Sequence, residues 1–172
     1  MAGKWYTYSL TQGSLSSPTW GNADCRPAQA DYDGDGKTDF AVFNPDTGEW
    51  YVLYSNNSSD SFNWGNLHSL FVAGDMDGDF AHEFIDYDTW TTSSSDDNWY
   101  LSHASNAGIS YSSTRFGNNS TIPVAGDFDG DTKADYTVFK NGQWYIWKST
   151  TGSMWMPTVG SSWAQPIPQF YR

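Results

Sequence analysis

The chain has 172 residues, which is long enough for one domain with a hydrophobic core. Its formal net charge is -12, from 20 acidic and 8 basic side chains, and this balance argues against nucleic-acid binding. No apolar run reaches the roughly 18 residues that a membrane-spanning helix needs, so the sequence predicts no membrane insertion.

Three acidic segments share one spacing. The first reads DYDGDGKTD over residues 31–39, and the others cover 75–83 and 127–135, each with carboxylates at loop positions 1, 3, 5 and 9. Alternate acidic residues in a tight turn can direct their oxygens to one point, and Ca²⁺ prefers many oxygen ligands. The sequence therefore predicts three Ca²⁺-binding loops, with the carboxylate ligands Asp31, Asp33, Asp35, Asp39, Asp75, Asp77, Asp79, Glu83, Asp127, Asp129, Asp131 and Asp135.

Loops of this composition have two other interpretations. An EF-hand has Glu at position 12, where this chain has Val42, Asp86 and Val138, and the residues after the loops are typical of strands, not helices. A plain turn without metal is the other alternative, because Asp and Gly favour turns. Three copies at matched positions favour the metal-binding interpretation.

Two aromatic motifs recur with the acidic loops. Trp-Tyr pairs begin at residues 5, 50, 99 and 144. Pairs of an aromatic or apolar residue followed by Gly begin at residues 20, 64, 116 and 159. Each unit of about 45 residues holds about four short strands, several of them apolar on both faces, which is typical of a propeller blade. The predicted units are residues 22–65, 66–117 and 118–160, with an incomplete unit from 1–21 plus 161–172.

The predicted fold is therefore all-β, a small β-propeller of about four blades with up to four antiparallel strands each, in one domain over residues 1–172. The chain opens with the second half of a unit and ends with the first segment of one. The N- and C-terminal segments are expected to complete one blade and close the ring, which removes free strand edges. A larger ring shared by two chains, or a piece of a longer protein, are the alternatives.

These motifs resemble the FG-GAP/VCBS repeats of integrin-like β-propellers. The resemblance rests on the acidic loops, the aromatic-Gly pairs and the Ala-Gly pairs at residues 73 and 125 that precede two loops. It implies Ca²⁺ binding, with the main-chain carbonyls of Lys37, Ala81 and Lys133 as further ligands. The family usually has Gly at loop position 6, which only Gly36 retains here; Phe80 and Thr132 replace it. This departure in the other two loops favours the first loop as the surest Ca²⁺ site.

No catalytic motif is recognisable in the sequence, which has no Gly-x-Ser-x-Gly elbow, no phosphate-binding Gly loop and no Cys/His pair. Asp86 and Asp88 remain as one acidic pair outside the loops, and a hydrated strand end is the interpretation we favour for them. We therefore predict that the protein is not an enzyme.

Eight of the ten tryptophans fall into two groups, and the other two, Trp20 and Trp64, belong to the aromatic-Gly pairs. Those in the Trp-Tyr pairs recur with the repeat and are predicted to lie in the cores of the blades. Others break the repeat, and an aromatic plane exposed in this way can stack on the C–H face of a sugar. The candidates for ligand contact are Trp90, Trp147, Trp155 and Trp163.

The sequence and the resemblance together predict a secreted or cell-surface recognition or adhesion module that binds Ca²⁺ and a glycan or protein ligand. A structural unit that forms a homo-oligomer is the second hypothesis. An accessory domain of a secreted hydrolase is the third.

Overall fold

The computed structural model describes residues 2–90, 98–102 and 111–166, and within these ranges every regular element is a β-strand. The strands alternate with turns along the whole described chain. This confirms the all-β prediction. The strands are β1 (Ala2–Lys4), β2 (Thr7–Ser9), β3 (Ser14–Ser16), β4 (Thr19–Asn22), β5 (Arg26–Pro27), β6 (Phe40–Asn44), β7 (Glu49–Leu53), β8 (Ser59–Asn63), β9 (Ser69–Gly74), β10 (Glu83–Asp88), β11 (Trp99–Ser102), β12 (Tyr111–Thr114), β13 (Ile122–Gly126), β14 (Asp135–Lys140), β15 (Gln143–Trp147) and β16 (Met154–Trp155).

Three four-stranded antiparallel sheets follow one another along the chain. The first sheet is β5-β6-β7-β8, the second is β9-β10-β11-β12 and the third is β13-β14-β15-β16. In each sheet every strand pairs with the strands adjacent in sequence, and an acidic loop joins the first strand to the second. The repeat read from the sequence thus corresponds to a repeated four-stranded meander.

The N-terminal segment forms a broken hairpin, in which β1 pairs with β4 and β2 pairs with β3. It packs on the first sheet, because the Trp20 indole Nε1 donates to the Tyr51 carbonyl at 3.0 Å and the rings of Trp5 and Phe40 meet edge to face. The opening residues therefore supply two paired strands beside the first sheet. The predicted partner strand, residues 165–172, falls almost wholly outside the described residues.

Two hydrophobic clusters connect the sheets. One contains Tyr32, Trp50 and Phe84 and lies between the first and second sheets, where the rings of Tyr32 and Phe84 stack with centroids 3.9 Å apart. The other contains Ile85 and Val138 and lies between the second and third sheets. Because neighbouring residues of one strand enter different clusters, the second sheet is covered on both faces. This explains why its strands are not alternately polar and apolar.

Candidate functional site: three acidic loops

The first carboxylate of each acidic loop holds the turn closed. In the first loop, the Asp31 side chain accepts hydrogen bonds from the amides of Asp35, at 3.1 Å, and Gly36, at 2.8 Å. Asp75 and Asp127 accept the same bonds from positions 5 and 6 of their own loops. The main chain of each loop therefore turns around its first Asp side chain, in the tight turn that the spacing predicted.

The carboxylate at position 9 lies at the buried base of each loop. Asp39, Glu83 and Asp135 are at most 1% exposed. Each accepts a hydrogen bond from the amide at position 2, over 2.6 to 3.0 Å. The other oxygen of Asp39 and of Asp135 accepts from the amide of Ser55 or Ser149, at 2.8 Å in both cases. These bonds fix the base of the first and third loops to the segment that follows the third strand of the same sheet.

The loops differ in how many carboxylates they bring together. In the second loop, Asp75, Asp77, Asp79 and Glu83 each place an oxygen within 4.8 Å of the others. The first and third loops gather three carboxylates each, at positions 1, 3 and 9. The second loop therefore has the fullest acidic cluster, although the retained Gly36 favoured the first loop in the sequence.

Lysine at position 7 accounts for the difference in the first loop. The Lys37 ammonium lies 2.8 Å from the Asp35 carboxylate, which also accepts from the Ser55 hydroxyl at 2.5 Å. These hydrogen bonds, the one from Lys37 above all, lower the pKa of Asp35 to about 2. The second loop has Ala81 at position 7, so no lysine at this position draws Asp79 away from the other carboxylates.

Burial has the opposite effect on the base of the loops. It raises the pKa of Glu83 to about 8, and the three neighbouring aspartates add to the rise. The pKa values of Asp39 and Asp135 are raised by burial in the same way. A cluster whose members disfavour one another's negative charge is an environment that a divalent cation would stabilise.

The donor set fits Ca²⁺. All the clustered side chains are carboxylates, which a hard cation prefers, and Oδ1 of Asp129 is buried without a hydrogen-bond partner among the described residues. The main-chain carbonyls of Lys37, Ala81 and Lys133 stay predicted ligands. When bound, the ion would neutralise the clustered charge and fix the loop.

The departures from Gly at position 6 do not change the turn. Phe80 has φ 74° and Thr132 has φ 77°, close to the 82° of Gly36. A left-handed conformation costs an L-residue about 1–2 kcal/mol. The second and third loops therefore adopt the turn of the first loop at a cost in backbone strain.

Neighbouring loops are joined by their main chains. The His82 amide donates to the Asp31 carbonyl at 2.8 Å, and the Ala134 amide donates to the Asp75 carbonyl at 2.6 Å. In both cases position 8 of one loop bonds to position 1 of the loop before it. The three acidic loops thus form one hydrogen-bonded row.

The four predicted ligand-contacting tryptophans are exposed but do not form one surface. Trp90 is 62% exposed and packs on the His68 ring, and Trp163 is 85% exposed. Trp147 and Trp155 lie on paired strands, but their registers with Met154 and Ile146 place them on opposite faces of the third sheet. Their role in ligand contact stays a prediction.

A pocket that the sequence did not predict lies between the first and second sheets. It is lined by Trp64, Gly65, Asn66, Asp86, Asp88 and Tyr100. The prediction that Asp86 lies at a hydrated strand end is wrong, because the residue is 5% exposed on the central part of β10. The sequence did contain a signal: Asp86 occupies the position that is Val42 and Val138 in the other two sheets.

Comparisons with known proteins identify the class. Residues 26–59 match the family model described as FG-GAP repeat. This stretch contains the first acidic loop and most of the first sheet. No curated protein and no solved structure is significantly similar to the chain.

FG-GAP repeats form β-propellers, and the all-β architecture of successive four-stranded sheets is that of a small β-propeller. The predicted resemblance and the fold class, an all-β small propeller, are therefore confirmed, and completion of a fourth blade by the N- and C-terminal segments stays a prediction. Among the described residues, none lies in a helix long and apolar enough to cross a membrane.

Proposed function

We propose that this protein is a calcium-stabilised, non-catalytic recognition module that acts in secreted form or at the cell surface, with a glycan or a protein as its ligand. The observation that carries the calcium part is the convergence of carboxylates in three loops at matched positions. The FG-GAP repeat supports the extracellular recognition part.

Calcium would act on stability. The acidic loop connects the first two strands of each sheet, and in the first and third loops the carboxylate at the base accepts a hydrogen bond from the residue two positions after the third strand. An ion that binds only the folded loop adds its binding free energy to that of folding. The ligand would then bind to surfaces that these loops hold in place, while the loops themselves take no part in chemistry.

Thermal unfolding in excess Ca²⁺ and in EDTA tests the calcium part. We expect a higher Tm with Ca²⁺ and little effect of Mg²⁺, which is smaller and demands a stricter octahedral geometry. A glycan array probed with the calcium-loaded protein tests the recognition part. An unchanged Tm and no bound Ca²⁺ by calorimetry would overturn the calcium proposal, and a folded protein without a glycan hit would leave a protein ligand as the surviving form.

Exposed apolar side chains at both ends of the chain favour a second candidate function, assembly into a homo-oligomer. Leu10 in the N-terminal hairpin is 91% exposed, and Met154 and Trp155 in the last strand are 51% and 48% exposed. Two such ends on one chain suit head-to-tail contacts between copies. Light scattering separates the two arrangements, because a monomer contradicts assembly and a defined oligomer supports it.

A further inference from the structure

The pocket between the first and second sheets differs chemically from its counterparts in the repeat. Its floor is Asp86, which pairs across the sheet with Phe71 on one side and Tyr100 on the other. Its walls come from Trp64 and Asn66 of the segment between the sheets. Its volume of about 300 Å³ is at the lower end of the range for small-molecule sites, roughly 300–1,000 Å³.

Asp86 is a buried charge at an apolar position of the repeat. The corresponding valines, Val42 and Val138, fill this place against Gly21 and Gly117, where an added Cβ would lie 2.9 Å and 2.8 Å from a valine methyl. A buried carboxylate costs free energy unless a partner compensates it. The Ser69 side chain hydrogen-bonds to the Asp86 carboxylate and meets part of this cost. Oδ1 of Asp86 is buried without a hydrogen-bond partner among the described residues, so the rest of the cost is not met within that part of the chain.

A second carboxylate lies beside the first. Asp88 is two residues further along β10, on the same face of the sheet, and it also lines the pocket. The described ion pairs join Lys37 to Asp35 and Lys148 to Asp129, so within the described ranges no basic side chain neutralises this acidic pair. Two like charges at the floor and two aromatic side chains at the walls are the composition of a site for a positively charged organic group.

We propose that this pocket binds an organic cation, an ammonium or guanidinium group on an aliphatic stem, with its charge at Asp86 and Asp88 and its stem against Trp64 and Tyr100. A neutral sugar could donate hydroxyl groups to Asp86, but it would leave the repulsion between the two carboxylates uncompensated. The apolar walls offer few of the oxygen ligands that a bare divalent ion requires. This proposal names the chemistry of one ligand of the recognition function and does not depend on the calcium loops.

The chain contains its own control. An equivalent pocket between the N-terminal hairpin and the first sheet is lined by Trp20, Gly21, Asn22, Cys25 and Tyr51. It repeats the Trp-Gly-Asn segment and the Tyr of the next sheet, and no carboxylate lines it. A ligand that requires the acidic pair binds one pocket and not the other.

The test is a titration of the calcium-saturated, ¹⁵N-labelled protein with Nα-acetyl-lysine methylamide, followed by amide chemical shifts. We expect saturable shifts at Asn66 and Tyr100 and none at Asn22 and Tyr51. Nα-acetyl-norleucine methylamide has an aliphatic stem without the ammonium group and should cause no saturable shift.

Variants complete the test. Asp86→Val restores the residue type of the repeat, and Asp86→Asn keeps the shape of the side chain if the valine variant folds poorly. Each variant should lower the affinity for the lysine probe at least about 30-fold, because removal of one partner of a buried charge pair typically costs 2 kcal/mol or more. Asp46→Asn removes a charge from an exposed turn and should leave the affinity unchanged.

Unchanged spectra with the lysine probe, equal shifts with the norleucine probe, or undiminished binding to the Asp86 variants would overturn the proposal. Preferential binding of a methyl glycoside at Asn66 and Tyr100 would replace it with a sugar site. The two proposals fail separately: a protein that gains stability from Ca²⁺ but does not bind the lysine probe refutes only the pocket. A protein that binds the probe but is indifferent to Ca²⁺ refutes only the calcium loops.

Discussion

The indole Nε1 of Trp99 donates a hydrogen bond of 2.8 Å to the main-chain carbonyl of Phe116. Trp99 belongs to a Trp-Tyr pair and Phe116 to an aromatic-Gly pair, so one bond connects the two motifs of the repeat. The other three units contain the same bond, Trp5 to Trp20, Trp50 to Trp64 and Trp144 to Val159, over 3.1 to 3.2 Å. The recurring Trp therefore closes the end of each unit, and in the first and second sheets, where Trp50 and Trp99 are fully buried, it also fills the core; Trp5 and Trp144 are only half-buried.

Removing this indole donor should destabilise the protein more where the tryptophan is more deeply buried. Trp99→Phe leaves the Phe116 carbonyl unpaired in the core, where Trp99 is fully buried, and we expect a loss of about 2–4 kcal/mol in the free energy of unfolding. Trp144→Phe removes the same bond at an exposed position, where water can replace the indole, and should cost about 1 kcal/mol or less. Urea denaturation measures both, and equal losses would contradict the closing role of the bond.

The acidic loops should respond unequally to loss of the carboxylate at position 5. Asp79 belongs to the cluster of four carboxylates, whereas Asp35 lies outside its own cluster and is held by Lys37. We expect Asp79→Asn to lower Ca²⁺ affinity of its loop at least about tenfold, which removes about 1.4 kcal/mol of calcium stabilisation, and Asp35→Asn to remove less. The comparison of Tm with and without Ca²⁺ for the two variants checks this. An equal or larger effect of Asp35→Asn would be inconsistent with the geometry.

Strain at loop position 6 should be removable. Phe80 is 71% exposed with φ 74°, so Phe80→Gly relieves a left-handed conformation and loses little packing. Glycine also gains freedom in the unfolded chain, and we expect a net stabilisation of about 0.5–1 kcal/mol. Gly36→Ala is the matched reverse change and should destabilise by about 1 kcal/mol. Chemical denaturation measures both, and a loss of stability in Phe80→Gly would show that the phenyl ring contributes more than the strain costs.

Asp86 should make stability depend on pH. Burial raises the pKa of Asp86 to about 6 in the folded protein from 3.8, and Asp88 adds to the rise. The folded state therefore holds its proton more tightly than the unfolded state. The stabilisation is complete below about pH 4 and is lost as pH rises to above 6, by roughly 3 kcal/mol at about 1.36 kcal/mol per pKa unit.

Asp86→Asn has no such proton, so its stability relative to the wild type should rise as pH increases from 4 to 7. Denaturant unfolding at several pH values, without added amine, measures the difference. Carboxylates far from Asp86 act equally on both proteins and cancel in the comparison, whereas Asp88 interacts with Asp86 and its contribution is part of the measured difference. A difference that stays constant across this pH range would contradict the buried, raised-pKa environment of Asp86.

The repeat made most of the fold predictable. The Trp-Tyr and aromatic-Gly motifs marked the same structural positions in every unit, because each unit needs the same bond between them. The acidic spacing likewise predicted which carboxylates meet at positions 1, 3 and 9. It could not predict that Asp35 would turn to Lys37, since that choice depends on a competing cation within the loop.

Asp86 shows what an amphipathic pattern misses in such a fold. An acidic residue near a strand end is normally hydrated, but here both faces of the strand are covered by neighbouring sheets. Only alignment of the units, which places Asp86 with Val42 and Val138, reveals the exception. The tryptophans outside the repeat have no equivalents in the other units, so their positions relative to one another could not be predicted from the repeat.

The row of acidic loops has a consequence for how the protein takes up its ions. The amide of His82 holds the carbonyl of Asp31, and the amide of Ala134 holds that of Asp75, so ordering one loop orients a ligand residue of the loop before it. Occupancy at one site should then raise the affinity of its neighbour, and a calcium titration should give a Hill coefficient greater than one. Such a protein would switch between loosened and rigid forms over a narrow range of calcium concentration.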